Sequence, residues 1–591
     1  MCGINGIVGL RPDAPPIDRE ELLRTRDAMT ARGPDGSGVW IAPAGRAALA
    51  SRRLAILDLS PAGAQPMSTP DGRWHLVLNG EIYNFRAMRR ELESQGATFR
   101  SQSDTEVVLA LLVRQGAAAL PRLRGMFSLA LWDDVEKQLL LARDPLGIKP
   151  LYYSNDGGCL RFASQVKALE AGGAVSRAVD PAGLAGFLLW GAVPDPFTFR
   201  SAVRALPAGC FLRVEDGRAG EPQPFYDMDL VPAGPPLAPA EAVEDSVAAH
   251  LESDVPVAVF LSAGLDSGLI AALARRRLPE PPVTFTLTFD VLAGTPGDEG
   301  PLAARVAQAL GTRHVERRVG RADFAGLWPA ALAAMDQPSI DGFNTFVVSR
   351  AAHEAGLKVV LSGLGGDEVF GSYPSFRDVP SYERAARRIG RLPGIGAAWP
   401  GLARLAADRP KLPGLVRYGR TRAGAYFLRR GLFLPEELPA LLGREAAEEG
   451  LRRCDPIAAV DAVLGRPGED PWIDVHRMET ALYMRHQLLR DADWASMAWS
   501  VELRVPLVDA WLRRHLAAAR FEPARSQGKA ALVRQAAPEL PAELFARPKT
   551  GFYIPVLEWL DPETARLRPG TRSRRLALRV LEEMGLWPTP D

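Results

Sequence analysis

Cysteine is scarce in this chain: 4 in 591 residues, at Cys2, Cys159, Cys210 and Cys454. They have no metal-ligand spacing, which excludes a disulfide framework and a cysteine zinc site. Neither sign of charge is in surplus, with 71 basic against 70 acidic residues and a net charge of +1. A general electrostatic footprint for nucleic acid is therefore missing. No apolar run is long enough to span a bilayer, so no membrane partner is expected. The N-terminus lacks a basic segment followed by an apolar one, and a cytoplasmic, reducing location is the expectation. Internal repeats are absent. So is the Gly-x-x-x-x-Gly-Lys phosphate loop.

What is present is an ordinary globular composition, 47% hydrophobic and 24% charged,. The length predicts two to four domains with ample buried core. The stretch around which the chain is organised is Val255-Pro-Val-Ala-Val-Phe-Leu-Ser-Ala-Gly-Leu-Asp-Ser267. Its apolar run reads as a buried parallel strand. A small-residue turn, Ser262-Ala-Gly264, then feeds an apolar helical run, Gly268–Ala274. Such a turn at a helix N-terminus points backbone N–H groups and a positive dipole end at an anion. Asp266 adds a carboxylate suited to a divalent cation carrying phosphates. Taken alone, the same stretch reads equally as an ordinary strand-to-helix connection.

The chain opens Met1-Cys2-Gly3-Ile4-Asn5-Gly6-Ile7-Val8-Gly9, apolar residues alternating with small ones as in a buried strand. Removal of Met1 would leave Cys2 with a free α-amine. Such an amine has an ordinary pKa of roughly 7.7–8.0 and a thiol about 8.5. One residue would then hold both a nucleophile and a base for its proton. Arg32-Gly-Pro-Asp-Gly36, Arg53-Leu-Ala-Ile-Leu-Asp58, Leu78-Asn-Gly-Glu-Ile-Tyr-Asn84 and Ser103-Asp-Thr-Glu106 follow, with Leu123–Ala130 and Arg143–Tyr152 further on.

Together these resemble the class II, N-terminal-nucleophile glutamine amidotransferase domain, in order and over most of the first 170 residues. The resemblance implies an αββα sandwich, into which the alternating runs Phe127–Trp132 and Leu139–Ala142 fit. It implies that Cys2 attacks the glutamine side-chain amide, with its α-amine as general base. Asn79 and the Gly80 N–H would form the oxyanion hole. Arg53 and Asp104 would hold the glutamine α-carboxylate and α-ammonium, with Asn79 and Glu81 beside them.

The Ser262–Ser267 wording resembles the pyrophosphate loop Ser-Gly-Gly-x-Asp-Ser of the adenylating N-type ATP pyrophosphatases. Ala263 departs from it, adding a methyl where backbone should approach phosphate. A second strand, Val283–Phe289, is followed by a third, Leu357–Leu361, which ends at Ser362-Gly-Leu-Gly-Gly-Asp-Glu-Val-Phe-Gly371. Strand ends of an open parallel sheet collect ligands. Asp266 and Asp367 are therefore candidate ligands of a Mg²⁺–pyrophosphate, and Ser262, Ala263, Gly264, Asp266, Ser267 and Ser362 candidate phosphate-loop residues. The resemblance sets Leu261, Leu287 and Gly363 along the adenosine and gives Lys529 the neutralisation of phosphate charge. Asp491–Asp509 resembles the family's substrate-side segment, and Lys529–Arg534 with Arg547–Phe552 its later basic elements.

The whole chain thus resembles the class B, glutamine-hydrolysing asparagine synthetases. The expected division is an amidotransferase domain over residues 1–228, a proline-rich linker over 229–240, and a synthetase domain over 241–591. The second domain is expected to be an α/β parallel-sheet unit with a helical C-terminal part, giving an α/β protein overall. Region 380–470, rich in arginine and proline, reads as charged surface. The implied reaction takes ammonia from glutamine, adenylates a carboxylate with ATP and Mg²⁺, and releases AMP, pyrophosphate and an amide. L-Aspartate to L-asparagine is the leading version. Water exclusion calls for a closed passage between the domains. A homodimer is an allowed assembly. Leu364 stands where asparagine-forming relatives carry Glu, and leucine has no acid–base capacity. Either a group such as Glu368 substitutes, or the acceptor is another carboxylate, of a sugar or specialised metabolite. A non-catalytic nucleotide-binding relative is the remaining alternative. The presence of Cys2, Asn79, Asp104, Asp266 and Asp367 weighs against it.

Overall fold

The computed structural model describes residues 2–591 apart from 12–13, 15, 229–234, 393, 396–398, 400, 402–410, 527, 548–554, 561–568 and 588–591. The N-terminal strand Cys2–Gly9 pairs antiparallel with Ala47–Arg53 and Cys159–Ala163 at the centre of a six-stranded sheet. Its period of two puts Cys2, Ile4 and Val8 on one face and Ile7 on the other,. A second, seven-stranded sheet is built around Trp74–Ile82, Gly125–Asp133, Gln138–Arg143 and Cys210–Glu215. Between the sheets lie Ile4, Leu49, Val77, Trp132, Leu141 and Phe162. The alternate residues Leu76, Leu78, Phe127 and Leu129 face outward, against Phe85, Met88, Val108 and Leu112 of helices Phe85–Ser94 and Asp104–Gln115. Leu22 of helix Arg19–Asp27 covers Ile7 and Ala48 on the other sheet. Each fully buried side chain of this size contributes roughly 1.5–3 kcal/mol. The result is an αββα sandwich.

Helix Pro239–His250 opens the second half, with proline in its first turn, where the missing N–H costs nothing,. The expected linker therefore ends before residue 239; its residues 229–234 lie outside the described ones. Five parallel strands follow, in the spatial order Arg313–Val319, Val283–Phe289, Val257–Phe260, Val359–Leu361, Glu502–Arg504. Val257, Val259, Leu261, Val359 and Leu361 pack into one layer, and Ala258, Phe285, Leu287 and Val360 into the other. Burial on both faces explains why these strands read as continuous apolar runs. In chain order the sheet runs 3-2-1-4-5, so the order reverses between Val257–Phe260 and Val359–Leu361. That crevice is where open α/β sheets bind ligands.

Region 380–470 is not simply charged surface. It forms helices including Ser375–Ile389, Arg422–Arg430, Arg444–Arg453 and Pro456–Leu464. Val379, Tyr426, Val460, Leu464 and Val475 close a core of their own. Its Arg422 pairs with Asp474 and Glu383. Residues Glu479–Leu489 then form a π-helix of 11 residues. Such helices are rare beyond one turn and concentrate at functional sites.

Candidate functional site

The strand register sets Cys2 opposite Arg53, and the sandwich interior places Asn79 of the second sheet beside it. The Cys2 backbone nitrogen donates to Asn79 Oδ1 at 3.1 Å. Among the described residues Asn79 Nδ2 has only a long contact, 3.4 Å, to Ser128 Oγ. Gly80 has φ +144°, and a Cβ there would lie 1.9 Å from the Met126 carbonyl oxygen. Only glycine fits this position. Arg53 is gripped by the carbonyls of Leu57, Asp58 and Ser60, which fixes its guanidinium at the end of its strand. Asp104, in the first turn of its helix, accepts from the Ile82 N–H at 2.9 Å. Burial pushes the Cys2 thiol and the Asp104 carboxyl up. Glu81 is driven well above the usual carboxylate range by burial and by the nearby Glu502 and Asp104. The expected glutamine-site residues are thus gathered at the edge of one sandwich.

The second cluster lies at the reversal of strand order. Lys529 Nζ donates to Asp266 Oδ2 at 2.7 Å and to Asp367 Oδ1 at 2.6 Å. Burial works against the lysine's charge, and the two carboxylates more than offset it, raising its pKa. The two loops touch so closely that a Cβ on Gly366 would lie 2.3 Å from Asp266 Cγ, and one on Gly363 2.8 Å from the Ser267 nitrogen. Ser262 and Ser267 bond through their hydroxyls at 2.9 Å, and Ser267 Oγ also accepts from the Ser262 N–H. The Ala263 N–H bonds the Glu299 carboxylate. Two of the turn's N–H groups are therefore engaged by the protein itself. The Ala263 methyl, expected at the phosphate, is buried with Leu261 in the apolar core. Leu287 is buried on the neighbouring strand. Among the described residues no group of three or more His, Cys, Asp or Glu is arranged to hold a metal ion by itself. A pair of carboxylates is what a Mg²⁺ shared with phosphates takes from a protein, so Asp266 and Asp367 fit it.

Both halves match known families. Residues 1–226 match the glutamine amidotransferase domain and residues 239–579 match asparagine synthase. The chain belongs to the asparagine synthase family. A Mycobacterium tuberculosis protein, provisionally named a glutamine-hydrolysing asparagine synthetase, is 34% identical over 95% of this chain and 88% of its own length. Asparagine synthetase 1 of Bacillus subtilis, named glutamine-hydrolysing, is 30% identical over the same shares. Asparagine synthetase B of Escherichia coli is 34% identical over 66% of this chain and 68% of its own. Membership carries glutamine-dependent, ATP-using amide formation. No described helix is long and apolar enough to cross a membrane.

In this synthase-family chain the two halves are joined by groups that sequence reasoning missed. Arg32 Nε donates to the Cys2 carbonyl at 3.3 Å, while its Nη atoms bind Asp493 at 2.7 and 3.1 Å. Lys149 Nζ stands 3.6 Å from the same carboxylate. Arg124 pairs with Asp509 at 2.6 Å. Arg504, on the last strand of the parallel sheet, binds Glu502 at 2.5 Å and reaches to 4.0 Å from Glu81. Arg32 and Asp493 both stand inside motifs read from the sequence, the only signal that marked them. Tyr83, Met126, Leu146, Ile148, Met484, Leu489, Val505 and Val508 form an apolar cluster spanning both halves, with Leu364 packed against it. Glu368 is buried, its Oε1 accepting from the Tyr373 hydroxyl at 3.0 Å. Burial and the adjacent Asp367 push it up to about 8.

Proposed function

We propose that the chain hydrolyses glutamine at Cys2 and uses the ammonia to amidate a carboxylic acid activated by ATP at the second centre. With Met1 removed, the Cys2 nitrogen held on Asn79 Oδ1 is the α-amine that takes the thiol proton,. The thiolate attacks the glutamine amide, and the Gly80 N–H and Asn79 Nδ2 meet the oxyanion. Arg53 binds the glutamine α-carboxylate, and Asp104 with Glu81 the α-ammonium. Ammonia leaves, and water then releases glutamate.

At the second centre the acceptor carboxylate displaces pyrophosphate from ATP, forming an acyl-AMP. Ammonia attacks it, and the amide and AMP depart. Ser262, Gly264, Ser267 and Ser362 line the phosphate side, with Leu261, Leu287 and Gly363 towards the nucleoside. Asp266 and Asp367 would hold a Mg²⁺ that, when bound, would neutralise charge on the departing pyrophosphate. Lys529 adds a fixed cation. The observation carrying this reading is the convergence of Asp266, Asp367 and Lys529 where strand order reverses. The apolar cluster between the centres supports a passage for neutral ammonia, since ammonium is costly to desolvate there.

Asparagine formation from aspartate is the version that the relatives' names support. A second version, with another carboxylic acid, is favoured by Leu364, whose half-buried side chain packs among apolar residues and offers no proton acceptor.

Cys2→Ala tests the division of labour. Glutamate release should vanish, while pyrophosphate release driven by ammonium chloride should stay within about twofold of wild type. Residual glutaminase activity in that variant would overturn the nucleophile assignment.

A further inference from the structure

A cavity of about 1100 Å³ lies where the two halves meet; Asp266, Asp367 and Lys529 do not line it. Pockets for drug-sized ligands run to roughly 300–1,000 Å³, so aspartate would occupy a small part of it. One wall is the π-helix, which contributes Tyr483, Arg485 and His486. The rings of Trp190, Trp328 and Phe343 also line it. Tyr483 marks the end nearest the nucleotide loops. Its ring stands edge-on to Tyr373, with centroids 5.8 Å apart, and the Tyr373 hydroxyl donates to Glu368, next to Asp367.

Arg485 is the polar feature that calls for a ligand. Its one described hydrogen bond is a long one, Nε to the Leu146 carbonyl at 3.4 Å. It forms no ion pair among the described residues. The carboxylate that shares this wall, Asp195, is already taken by Arg143 at 2.9 Å and Arg490 at 2.6 Å. Burial pulls the Arg485 pKa down, a cost that a bound anion would relieve,. His486 beside it is held neutral by burial, near 3, and adds no competing charge.

We propose that this cavity is the acceptor pocket and takes a carboxylic acid with an aromatic body and a second anionic group, the latter bound by Arg485. The proposal rests on the amide-ligase reading and names its substrate class. The reacting carboxylate points past Tyr483 towards the nucleotide loops. The aromatic body lies among Trp190, Trp328 and Phe343.

The test uses the full-length protein with three acids: L-aspartate, phenylsuccinate and 3-phenylpropionate. Pyrophosphate release is measured with Mg²⁺-ATP and ammonium chloride, so that the glutaminase is not needed. Tryptophan fluorescence, without ATP, reports cavity binding through Trp190 and Trp328. Phenylsuccinate should quench the fluorescence and drive pyrophosphate release about tenfold or more above aspartate. Ala459→Trp, which fills the cavity from helix Pro456–Leu464, should abolish both responses and leave glutamine hydrolysis unchanged. Arg485→Met should weaken phenylsuccinate by about tenfold or more and leave phenylpropionate nearly unaffected. Preference for aspartate, undiminished by Ala459→Trp, would overturn the pocket assignment and leave the ligase reading standing. Quenching by phenylsuccinate with no pyrophosphate from any acid would overturn the acceptor role along with the ligase reading. No response to either aromatic acid in either assay overturns the proposal alone.

Discussion

Asp491 is buried between two donors, Ser339 Oγ at 2.6 Å and Trp494 Nε1 at 2.8 Å. Burial, with Asp341 close by, lifts its carboxyl from the ordinary 3.8 to about 7. Between those values the folded protein keeps a proton that the unfolded chain releases. The contribution of this group to stability therefore falls as pH rises through that window and levels off above it. Asp491→Asn keeps the shape and removes the titration, since the Ser339 hydroxyl can turn to accept from the new amide. Thermal midpoints taken at about pH 5 and about pH 7.5 should diverge: wild type should lose stability relative to the variant. Parallel pH slopes for the two proteins would rule out a buried neutral Asp491.

The clamp on Asp266 and Asp367 is a property of elements. Each carboxylate lies in the first turn of a helix that follows a central strand, and Lys529 reaches both from helix Gly528–Ala536. Lys529→Met leaves two half-buried carboxylates facing each other with their shared cation gone. Pyrophosphate release should fall about 10²–10³-fold, the range seen when a charge-stabilising donor is removed. Glutamine hydrolysis should persist, because the sandwich contributes nothing to the clamp. A variant that retains near-normal pyrophosphate release would make Lys529 a structural lysine only. The π-helix Glu479–Leu489 is a second case. It falls within the C-terminal part expected to be helical, and π-helical bonding is rare beyond a single turn,.

The two halves are locked together by buried charges. Asp493 receives Arg32 and Lys149 from the sandwich, and all three are at most 4% exposed on their side chains. The Arg32 and Lys149 charges hold its carboxyl low in spite of burial. Breaking such a site costs about 3–5 kcal/mol, because the remaining charges stay buried without a partner. Asp493→Asn should therefore lower stability by that order in urea unfolding. It should also loosen the link from the Cys2 carbonyl, through Arg32, to the second half of the chain. Glutamate released per pyrophosphate should then rise above the wild-type ratio. A variant with both stability and ratio unchanged would remove Arg32–Asp493 from the coupling.

Local chemistry was enough to read much of this from residues near one another in the chain. Cys2, Asn79, Gly80 and Asp104 fall in short motifs whose order survives in the fold. The strands Val257–Phe260 and Val283–Phe289 announce themselves as apolar runs, because burial on both faces needs nothing but local residue type. Other features depended on pairing over long distances. Arg32 and Asp493 are 461 positions apart, and no local pattern says which buried arginine meets which aspartate. The burial of the Ala263 methyl in the apolar core follows from how the strand end packs. Region 380–470 looked like charged surface because helices such as Arg422–Arg430 and Arg444–Arg453 carry several arginines; their apolar residues close a core only when the neighbouring segments are in place. The same holds for the cavity, whose walls come from segments hundreds of residues apart. Sequence determines what each segment prefers; only the packed chain decides which preferences meet, because burial and charge pairing are settled between segments and not within them.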